Sequence, residues 1–343
     1  MKILIITQKI DINDPILGFF HRWVEEFSKH YEKAVVVCLE KGEYHLPENV
    51  RVLSLGKEGG KSRLKYIFNF YKYIWSERKN YDQVFVHMNQ EYVLLGTMLW
   101  RLMGKKIMMW RNHPMGGLLT NIAVFCSNRV FCTSKYAYTV RFEKTEIMPV
   151  GIDTDLFKRK LEIKKIPNSV LFLGRISPIK NPDVLIEALN VLNKDQVNFN
   201  ALIVGDPLPK DRGYYEDIKN KINKYSLENK VKLVGGIKHS EAVDLYNKYE
   251  IFVNLTPTGS MDKTIFEAMA CESLAVISNR SLEGKIKNEL IFIENDFVDL
   301  SDRLRYVLNL SVTGKEDLGK ELKNYILKKH NLVLLVNQIC KLF

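Results

Sequence analysis

Short apolar segments alternate with segments of helical periodicity along most of the chain. A short apolar run bounded by turn residues predicts a strand that is buried on both faces of a sheet. The strands predicted in this way are residues 2–7, 34–39, 83–87, 106–110 and 129–132 in the first half, and residues 169–173, 200–204, 231–234, 251–255 and 274–278 in the second.

Between the strands, apolar residues recur three and four positions apart, as they do on one face of a helix. Helices are predicted at residues 19–31, 182–192, 214–225, 240–248 and 263–270. Strands that alternate with helices are typical of a doubly wound parallel sheet. Pro149 and Gly151 interrupt this alternation at residues 148–153, and it restarts after them. We therefore expect two Rossmann-like α/β domains facing a central cleft, with ligands at the carboxyl ends of the strands.

Composition narrows the class of protein. The chain has 343 residues, which is enough for two cores, and it has no apolar run of the roughly 18 residues that a membrane span needs. The N-terminal apolar stretch is too short for a signal peptide. Five cysteines without CxxC spacing predict unpaired thiols in a reducing compartment. We expect a cytoplasmic protein, peripheral on the inner face of the membrane if it is bound there.

The positive charge is concentrated in one part of the chain. The net charge is +11 overall, and residues 51–150 alone carry +10. Such asymmetry indicates an anionic partner, either nucleic acid, a membrane surface or an acidic substrate, or else a solvated face that aids solubility. We do not expect nucleic acid, because the sequence has no recognition helix, zinc finger or aromatic RNA-binding pattern.

Residues 61–81 form the most basic of these segments. Its apolar residues have helical spacing and are interspersed with cations, which is typical of a helix lying among lipid headgroups. The alternative is that the apolar face packs on the sheet. The apolar residues are Leu64, Ile67, Phe68, Tyr71, Ile74 and Trp75, and the cations are Lys61, Arg63, Lys65, Lys72, Arg78 and Lys79. A second basic cluster contains Arg101, Lys105, Lys106 and Arg111, interleaved with Met108, Met109 and Trp110.

Two segments of the second half indicate a phosphate-containing ligand. Arg175 and Lys180 follow the strand that ends near Gly174, and two cations there suit a diphosphate. The alternative is two exposed basic residues on a loop. The second segment, residues 256–271, runs from a strand through a Gly/Ser loop into a helix whose first N–H groups favour an anion. Glu267 lies among apolar residues of that helix and needs a partner, either ribose hydroxyls or an arginine of the protein.

Together these segments resemble the retaining glycosyltransferases of the GT-B fold, family GT4. The resemblance rests on the GRxxxxK segment at 174–180, the FEAMAC segment at 266–271, the linker at 149–153 with Phe157, and the segments ALIVGD at 201–206 and VKLVG at 231–235. It implies an N-terminal acceptor-binding domain over residues 1–149 and a donor-binding domain over residues 150–324. It also implies that a C-terminal helix, at about residues 325–343, packs back on the first domain.

The resemblance also implies functional residues. His113, Arg175 and Lys180 would be catalytic, His113 lying near the donor sugar and the two cations offsetting charge on the leaving diphosphate. Glu267 would bind the ribose of the nucleotide. The implied donor-binding residues are Gly18, Gly174, Arg175, Lys180, Gly236, Ile237, Gly259, Ser260, Met261, Asp262, Lys263, Thr264 and Glu267.

One position departs from the family pattern. The family has a second glutamate eight residues before the one that matches Glu267, and that position here is Gly259. Asp262, in the same loop, is a possible substitute carboxylate. We expect an active enzyme with a variant loop, because Arg175, Lys180 and Glu267 remain.

Further polar residues lie near the predicted ends of first-half strands. His87, Asn89, Glu91 and Asn112 are candidates to line an acceptor site, although a structural role for His87 is as plausible. Asp153 and Asp155 form a DxD pattern, but at the linker we expect capping of the local turn. We expect no metal site and no cofactor.

The resemblance implies that a hexose-type sugar is transferred from a UDP- or GDP-sugar to a hydroxyl. The acceptor would be a glycan or a lipid-linked molecule, as in cell-envelope polysaccharide or glycolipid synthesis. The first domain would contact an anionic membrane. Two alternatives stay open, namely a nucleotide-sugar epimerase of the same fold and a non-enzymatic protein that binds membranes or polyanions.

Overall fold

A computed structural model describes residues 1–14, 16–60, 62–259 and 261–342. The chain forms two compact units, which are described separately. The first is Met1–Gly151 together with Leu332–Phe343, and the second is Ile152–Asn331. Each is built on a parallel sheet, as the alternation of strands and helices predicts. Among the described residues, no helix is both long enough and apolar enough to cross a membrane.

The first unit contains a seven-stranded sheet in the order β3-β2-β1-β4-β5-β6-β7. The strands are β1 (Lys2–Ile10), β2 (Lys33–Lys41), β3 (Val50–Ser54), β4 (Gln83–His87), β5 (Lys106–Trp110), β6 (Arg129–Cys132) and β7 (Thr145–Ile147). The helices are α1 (Phe19–Ser28), α2 (Arg63–Ser76), α3 (Gln90–Leu102) and α4 (Leu118–Cys126). The five predicted strands are confirmed. The sequence pattern did not predict β3 and β7, because these edge strands are short and none of their residues is buried.

Both faces of this sheet are covered, which explains the continuous apolar runs in its central strands. Alternate residues of a strand point to opposite faces. Ile3 and Ile5 of β1 face the side covered by α1. Leu4 and Ile6 face the other side, where buried residues of α2, α3 and α4 complete the core. The last three helices therefore share one side of the sheet.

The second unit contains a five-stranded parallel sheet in the order β10-β9-β8-β11-β12. Its strands are β8 (Ile166–Leu173), β9 (Asn200–Val204), β10 (Val231–Val234), β11 (Tyr249–Asn254) and β12 (Leu274–Ile277). Its helices are α5 (Pro182–Lys194), α6 (Arg212–Lys224), α7 (Ala242–Lys248), α8 (Lys263–Ala270), α9 (Phe297–Leu308) and α10 (Val312–Lys329).

This strand order determines where a ligand site can form. From β8 the chain builds outward through β9 and β10, and it then returns to place β11 on the other side of β8. The adjacent strands β8 and β11 are therefore followed by connections that run in opposite directions. Doubly wound sheets bind ligands at such a switch point. The GRxxxxK segment follows β8, and the loop containing Gly259 follows β11. The fold therefore brings together two motifs that are about eighty residues apart in sequence.

The last helix, α11 (Leu332–Lys341), belongs to the first unit. Leu335, Val336 and Ile339 are buried in the same core as Phe20 and Trp23 of α1. Gly151 has a φ of +74°, and a Cβ atom there would lie 2.4 Å from Leu335 and 2.8 Å from Trp23. A glycine is therefore required where the chain leaves this unit.

Candidate functional site

Lys180 and Asp262 form an ion pair that joins the loops after β8 and β11. The Lys180 ammonium also donates to Thr256 Oγ1 at 3.0 Å. Asp262 Oδ2 accepts further hydrogen bonds, from Asn254 Nδ2 at 3.1 Å and from Thr256 Oγ1 at 3.0 Å. Burial alone would raise the pKa of Asp262, but the charge of Lys180 and the hydrogen bond from Asn254 outweigh it, so the pKa lies well below its usual range. Asp262 is therefore an anion at neutral pH, and it fixes the position of Lys180.

Asp262 is also the N-cap of α8. Its Oδ1 accepts a hydrogen bond from the Thr264 backbone N–H at 3.2 Å and another from the Thr264 hydroxyl at 2.9 Å. The sequence predicts that the first N–H groups of this helix favour an anion. In the structure, the anion at the Thr264 N–H is the carboxylate of Asp262 itself.

The backbone at Gly259 is one that a glutamate would rarely adopt. Gly259 has a φ of +119°, in the left-handed region that side chains other than glycine rarely adopt. A glutamate at this position would strain the loop. Met261 is buried after this turn, and the Asp262 side chain, which is 12% exposed, is paired with Lys180. Ser260, one of the predicted donor-binding residues, lies outside the described residues.

The Glu267 carboxylate is buried in α8, with its side chain 4% exposed. His239 Nε2 lies 2.9 Å from Oε1, and the Tyr246 hydroxyl lies 3.4 Å from Oε2. The His239 ring also packs edge-on against Phe157, with ring centroids 5.1 Å apart. The protein partner of Glu267 is therefore a histidine, and not the arginine considered from the sequence. Sequence reasoning missed His239, because no local motif links it to a glutamate twenty-eight positions away.

Two cationic groups surround this carboxylate. Burial alone would lower the pKa of His239, but Glu267 and, more weakly, Asp153 raise it above its usual value. Burial lowers the pKa of Lys263 to about 7, although Glu267 opposes that shift. The carboxylate thus favours the charged form of His239, whereas Lys263 is poised to lose its proton near neutral pH.

The pKa of His239 leads to a prediction about stability. The pKa of His239 is higher in the folded protein than in the unfolded chain, so protonation of His239 beside Glu267 stabilises the fold. This stabilisation is complete below about pH 6.5 and is lost as the pH rises through the folded-state pKa. We expect His239→Gln to lower the free energy of unfolding more at about pH 6 than at about pH 9. Urea unfolding of both proteins at each pH measures this, and an equal loss at both would contradict it.

The remaining predicted donor residues lie on neighbouring loops. Arg175 is exposed and follows Gly174 at the end of β8. Gly236 and Ile237 follow β10, and a Cβ atom on Gly236 would come within 2.7 Å of a carboxylate oxygen of Asp206. The glycine therefore lets this loop pass close to Asp206.

His113 lies in the first unit, on the loop between β5 and α4, and is exposed. His113 Nδ1 lies 3.0 Å from the Met115 backbone nitrogen and 3.1 Å from the Met115 carbonyl oxygen, so the ring is held against its own loop. Arg111 supports the loop by donating to Gln90 Oε1 at 2.9 Å and to the carbonyl oxygens of His113 and Met115, at 3.3 and 2.9 Å. These residues line a concavity of about 500 Å³ that also includes Gly117, Leu118 and Leu119.

The structure gives the candidate acceptor residues different environments. His87 is buried, its ring stacked on Phe20 at 3.9 Å with Nδ1 3.2 Å from Thr7 Oγ1, so it does not line an exposed site. Asn112 Oδ1 accepts the Thr133 backbone N–H at 2.7 Å, which is a structural contact. Asn89 and Glu91 lie at the start of α3, and Glu91 is exposed.

Gly18 also has a structural reason to be glycine, and it is buried before α1. A Cβ atom on Gly18 would lie 2.6 Å from the Asp14 carbonyl oxygen. The close approach that requires a glycine here is therefore one between two parts of the chain itself.

One protein family matches this chain over more than half of its length. The family described as glycosyl transferases group 1 matches residues 153–329. The chain belongs to this family. The matched part of this group 1 chain contains both the Lys180–Asp262 pair and the His239–Glu267 pair. Among the described residues, no group of three or more His, Cys, Asp or Glu side chains is arranged to hold a metal ion.

Two curated relatives share about a quarter of their aligned residues with this group 1 chain. The GPI3 subunit of phosphatidylinositol N-acetylglucosaminyltransferase from Saccharomyces cerevisiae is 25% identical over 183 residues, which cover 49% of this chain and 38% of the relative. An uncharacterized glycosyltransferase of Methanocaldococcus jannaschii, MJ1178, is 25% identical over 225 residues, covering 64% of this chain and 60% of the relative. The chain thus covers less than two thirds of the length of these relatives.

Solved structures confirm the fold of this group 1 chain. Anabaena Alr3699/HepE, solved in complex with UDP, has a TM-score of 0.80 at 18% identity, with 100% of this chain and 99% of that chain covered. Sucrose-phosphate synthase from Thermosynechococcus elongatus has a TM-score of 0.78 at 16% identity, covering 100% of this chain and 98% of that one. The expected GT-B architecture, with two Rossmann-like α/β domains, is therefore confirmed.

Proposed function

We propose that this chain is a retaining glycosyltransferase of family GT4. It moves a hexose-type sugar from a UDP- or GDP-sugar to a hydroxyl of a glycan or lipid-linked acceptor, as in cell-envelope polysaccharide or glycolipid synthesis. The observation that carries the proposal is the joining of Lys180 and Asp262 beside the buried Glu267, at the switch point of the sheet and inside the segment that matches the family. We assign donor binding to the second unit and acceptor binding to the first.

The charges in the second unit suit a nucleoside diphosphate. Lys180 uses two hydrogen-bond contacts, to Asp262 and Thr256, and an ammonium has three donors. The third donor and the exposed Arg175 guanidinium bind the diphosphate and offset the charge that develops on it as the sugar departs. Glu267, held by His239, accepts hydrogen bonds from the ribose. In this proposal the transfer needs no metal ion, and the leaving phosphate accepts the proton of the acceptor hydroxyl.

A panel of nucleotide sugars tests the donor assignment. UDP-, GDP-, ADP- and dTDP-glucose are compared by thermal shift, because a ligand that binds only the folded state raises the melting temperature. We expect a shift with the UDP- or GDP-sugar and little shift with Glu267→Gln. No shift with any nucleotide sugar would contradict the proposal. Conversion of the sugar without an acceptor would instead indicate an epimerase.

We also propose that the first unit docks on an anionic membrane through α2. The helix buries only Phe70 and Ile74, so most of its predicted apolar face does not pack on the sheet. The exposed large apolar residues of α2 are Leu64, Ile67, Phe68, Tyr71 and Trp75. The Arg78 guanidinium lies 4.4 Å from the centre of the Trp75 ring, which places a cation beside an exposed aromatic side chain.

The second basic cluster contributes less to such a surface than the sequence predicts. Met108, Met109 and Trp110 are core residues of β5 and are not exposed. Lys105 donates to the Tyr81 carbonyl oxygen at 2.5 Å. Lys61, the first cation of the α2 segment, lies outside the described residues.

Reversing two α2 charges tests this contact. Lys65 and Lys72 are exposed and lie two turns apart. Each lysine near an anionic surface contributes about 1 kcal/mol, so Lys65→Glu with Lys72→Glu should weaken binding to phosphatidylglycerol-containing vesicles about 30-fold or more. Lys219→Glu with Lys224→Glu, on α6 of the second unit, is the control and should bind normally. Co-sedimentation measures this, and equal binding to neutral vesicles would contradict the proposal.

A further inference from the structure

Helix α4 has an unusual surface for a helix on the outside of a sheet. Its sequence, LLTNIAVFC, contains no charged residue. Ala123 and Val124 are buried against the sheet, whereas Leu118 is 74%, Leu119 58% and Phe125 72% exposed. Outward-facing positions of such helices are normally polar. A continuous apolar surface of this kind marks an interaction site.

Two cations frame the C-terminal end of α4. Arg101, from α3, donates to the carbonyl oxygens of Phe125 and Cys126, both at 3.3 Å. Lys144 donates to the Ser127 carbonyl oxygen at 2.9 Å. The Arg101 guanidinium is 5.7 Å from the centre of the Phe125 ring, and the Lys144 ammonium is 6.0 Å from it. An exposed aromatic ring between two fixed cations matches an anionic lipid layer, where the ring enters the acyl chains and the cations meet the phosphates.

The helices next to α4 also expose apolar side chains. Helix α3 packs against α4 and exposes Met98 and Leu102. On its other side, the Tyr71 hydroxyl of α2 donates to the Leu95 carbonyl oxygen of α3 at 2.9 Å. The three helices thus lie side by side, and α4 and the α2 surface that we assign to the membrane are on the same side of the sheet.

The N-terminal end of α4 borders a concavity of the first unit. Leu118 and Leu119, which are part of the exposed apolar surface, also line the concavity that contains Arg111 and His113. If α4 enters the lipid, this concavity opens at the membrane surface. The headgroup of a lipid-linked acceptor then reaches His113 while its lipid chain stays in the bilayer.

We propose that α4 is the segment that inserts into the hydrocarbon layer of an anionic membrane, and that it thereby presents the Arg111–His113 concavity to a lipid-linked acceptor. This inference rests on the proposed function for its biological meaning. The insertion itself does not depend on that function, because it is argued from the exposed apolar residues of α4 and the cations beside Phe125. Binding by the α2 cations is electrostatic, whereas binding by α4 depends on apolar area.

Single substitutions separate these two contributions. We expect Phe125→Ser and Leu119→Ser each to weaken binding to vesicles of phosphatidylcholine and phosphatidylglycerol about tenfold. Leu161→Ser is the matched control, because Leu161 is 85% exposed but lies in the second unit, and it should bind as the parent does. Normal binding of both Phe125→Ser and Leu119→Ser would overturn the proposal.

A fluorescence measurement tests the depth of insertion directly. Trp23, Trp100 and Trp110 are buried, so Trp75→Phe removes the exposed tryptophan, and Phe125→Trp then places a reporter on α4. We expect brominated phosphatidylcholine in anionic vesicles to quench this reporter. Vesicle binding without quenching would show that α4 stays outside the hydrocarbon and would overturn the proposal.

The same variants keep failure of this proposal distinct from failure of the proposed function. Phe125→Ser, which lies outside the Arg111–His113 concavity, should retain the parent's thermal shift with its nucleotide sugar, which also shows that it folds. A parent with no such shift would contradict the glycosyltransferase assignment, and the quenching result would still decide whether α4 inserts.

Discussion

Replacing Glu267 with alanine is expected to abolish measurable binding of the nucleotide sugar and to destabilise the second unit. Its carboxylate is buried and hydrogen-bonded to His239. We assign its remaining acceptor capacity to the ribose hydroxyls. Hydrogen bonds to a charged group contribute about 1.5–3 kcal/mol each, so losing two of them weakens binding about a hundredfold or more. The loss of the bond to His239 lowers the free energy of unfolding by about 2 kcal/mol.

Two conservative variants separate binding from stability. Glu267→Gln keeps the shape and an acceptor oxygen but removes the charge, so we expect a smaller loss of stability and a large loss of donor binding. His239→Gln keeps Glu267 in place, and we expect donor binding to weaken much less than in Glu267→Ala. Isothermal titration with the nucleotide sugar and urea unfolding measure the two effects. Full donor affinity in Glu267→Ala would show that this carboxylate does not contact the ligand.

Replacing Lys180 with methionine is expected to lower the rate of sugar transfer about 100- to 1,000-fold, the usual effect of removing one group that stabilises developing negative charge. The same change leaves the Asp262 carboxylate in a largely buried position without its ionic partner. Breaking a buried ion pair from one side costs about 3 kcal/mol of unfolding free energy. A simple loss of activity would therefore not distinguish a catalytic role from a damaged fold.

A double variant makes that distinction. Lys180→Met together with Asp262→Asn removes both charges, and we expect its free energy of unfolding to return to within about 1 kcal/mol of the parent value. Its rate of transfer, measured as release of the nucleoside diphosphate, should stay as low as that of Lys180→Met. Recovery of activity together with stability would show that Lys180 serves the fold and not the leaving group.

Most of the fold could be predicted from the sequence because buried strands have a clear local signature. The ten predicted strands all appear, and each buries at least one residue, including β10 and β12 at the edges of the second sheet. The missed strands, β3 and β7, lie at the two edges of the first sheet and bury none of their residues. Helices α3, α4, α9 and α10 were also not predicted, and α4 in particular lacks the polar outer face from which an amphipathic helix is recognised.

The candidate site was predictable where function leaves a local pattern. Lys180 and Glu267 were identified because a cation after a strand and a carboxylate among apolar residues are both unusual. Their protein partners were harder to predict. Asp262 was noted only as a possible substitute carboxylate, and its pairing with Lys180 arises because the loops after β8 and β11 meet at the switch point. His239 was missed because its contact with Glu267 is created entirely by tertiary folding.

The position of α11 has a consequence for how the protein is made. The core of the first unit includes Leu335 and Ile339, which are synthesised after the whole of Ile152–Asn331. The second unit is continuous in sequence and can fold as it leaves the ribosome. During that time the first unit exposes the surface of Phe20 and Trp23 that α11 later covers. The half of the protein that is translated first is thus completed last, and a newly made chain is most prone to aggregation or chaperone capture in that interval.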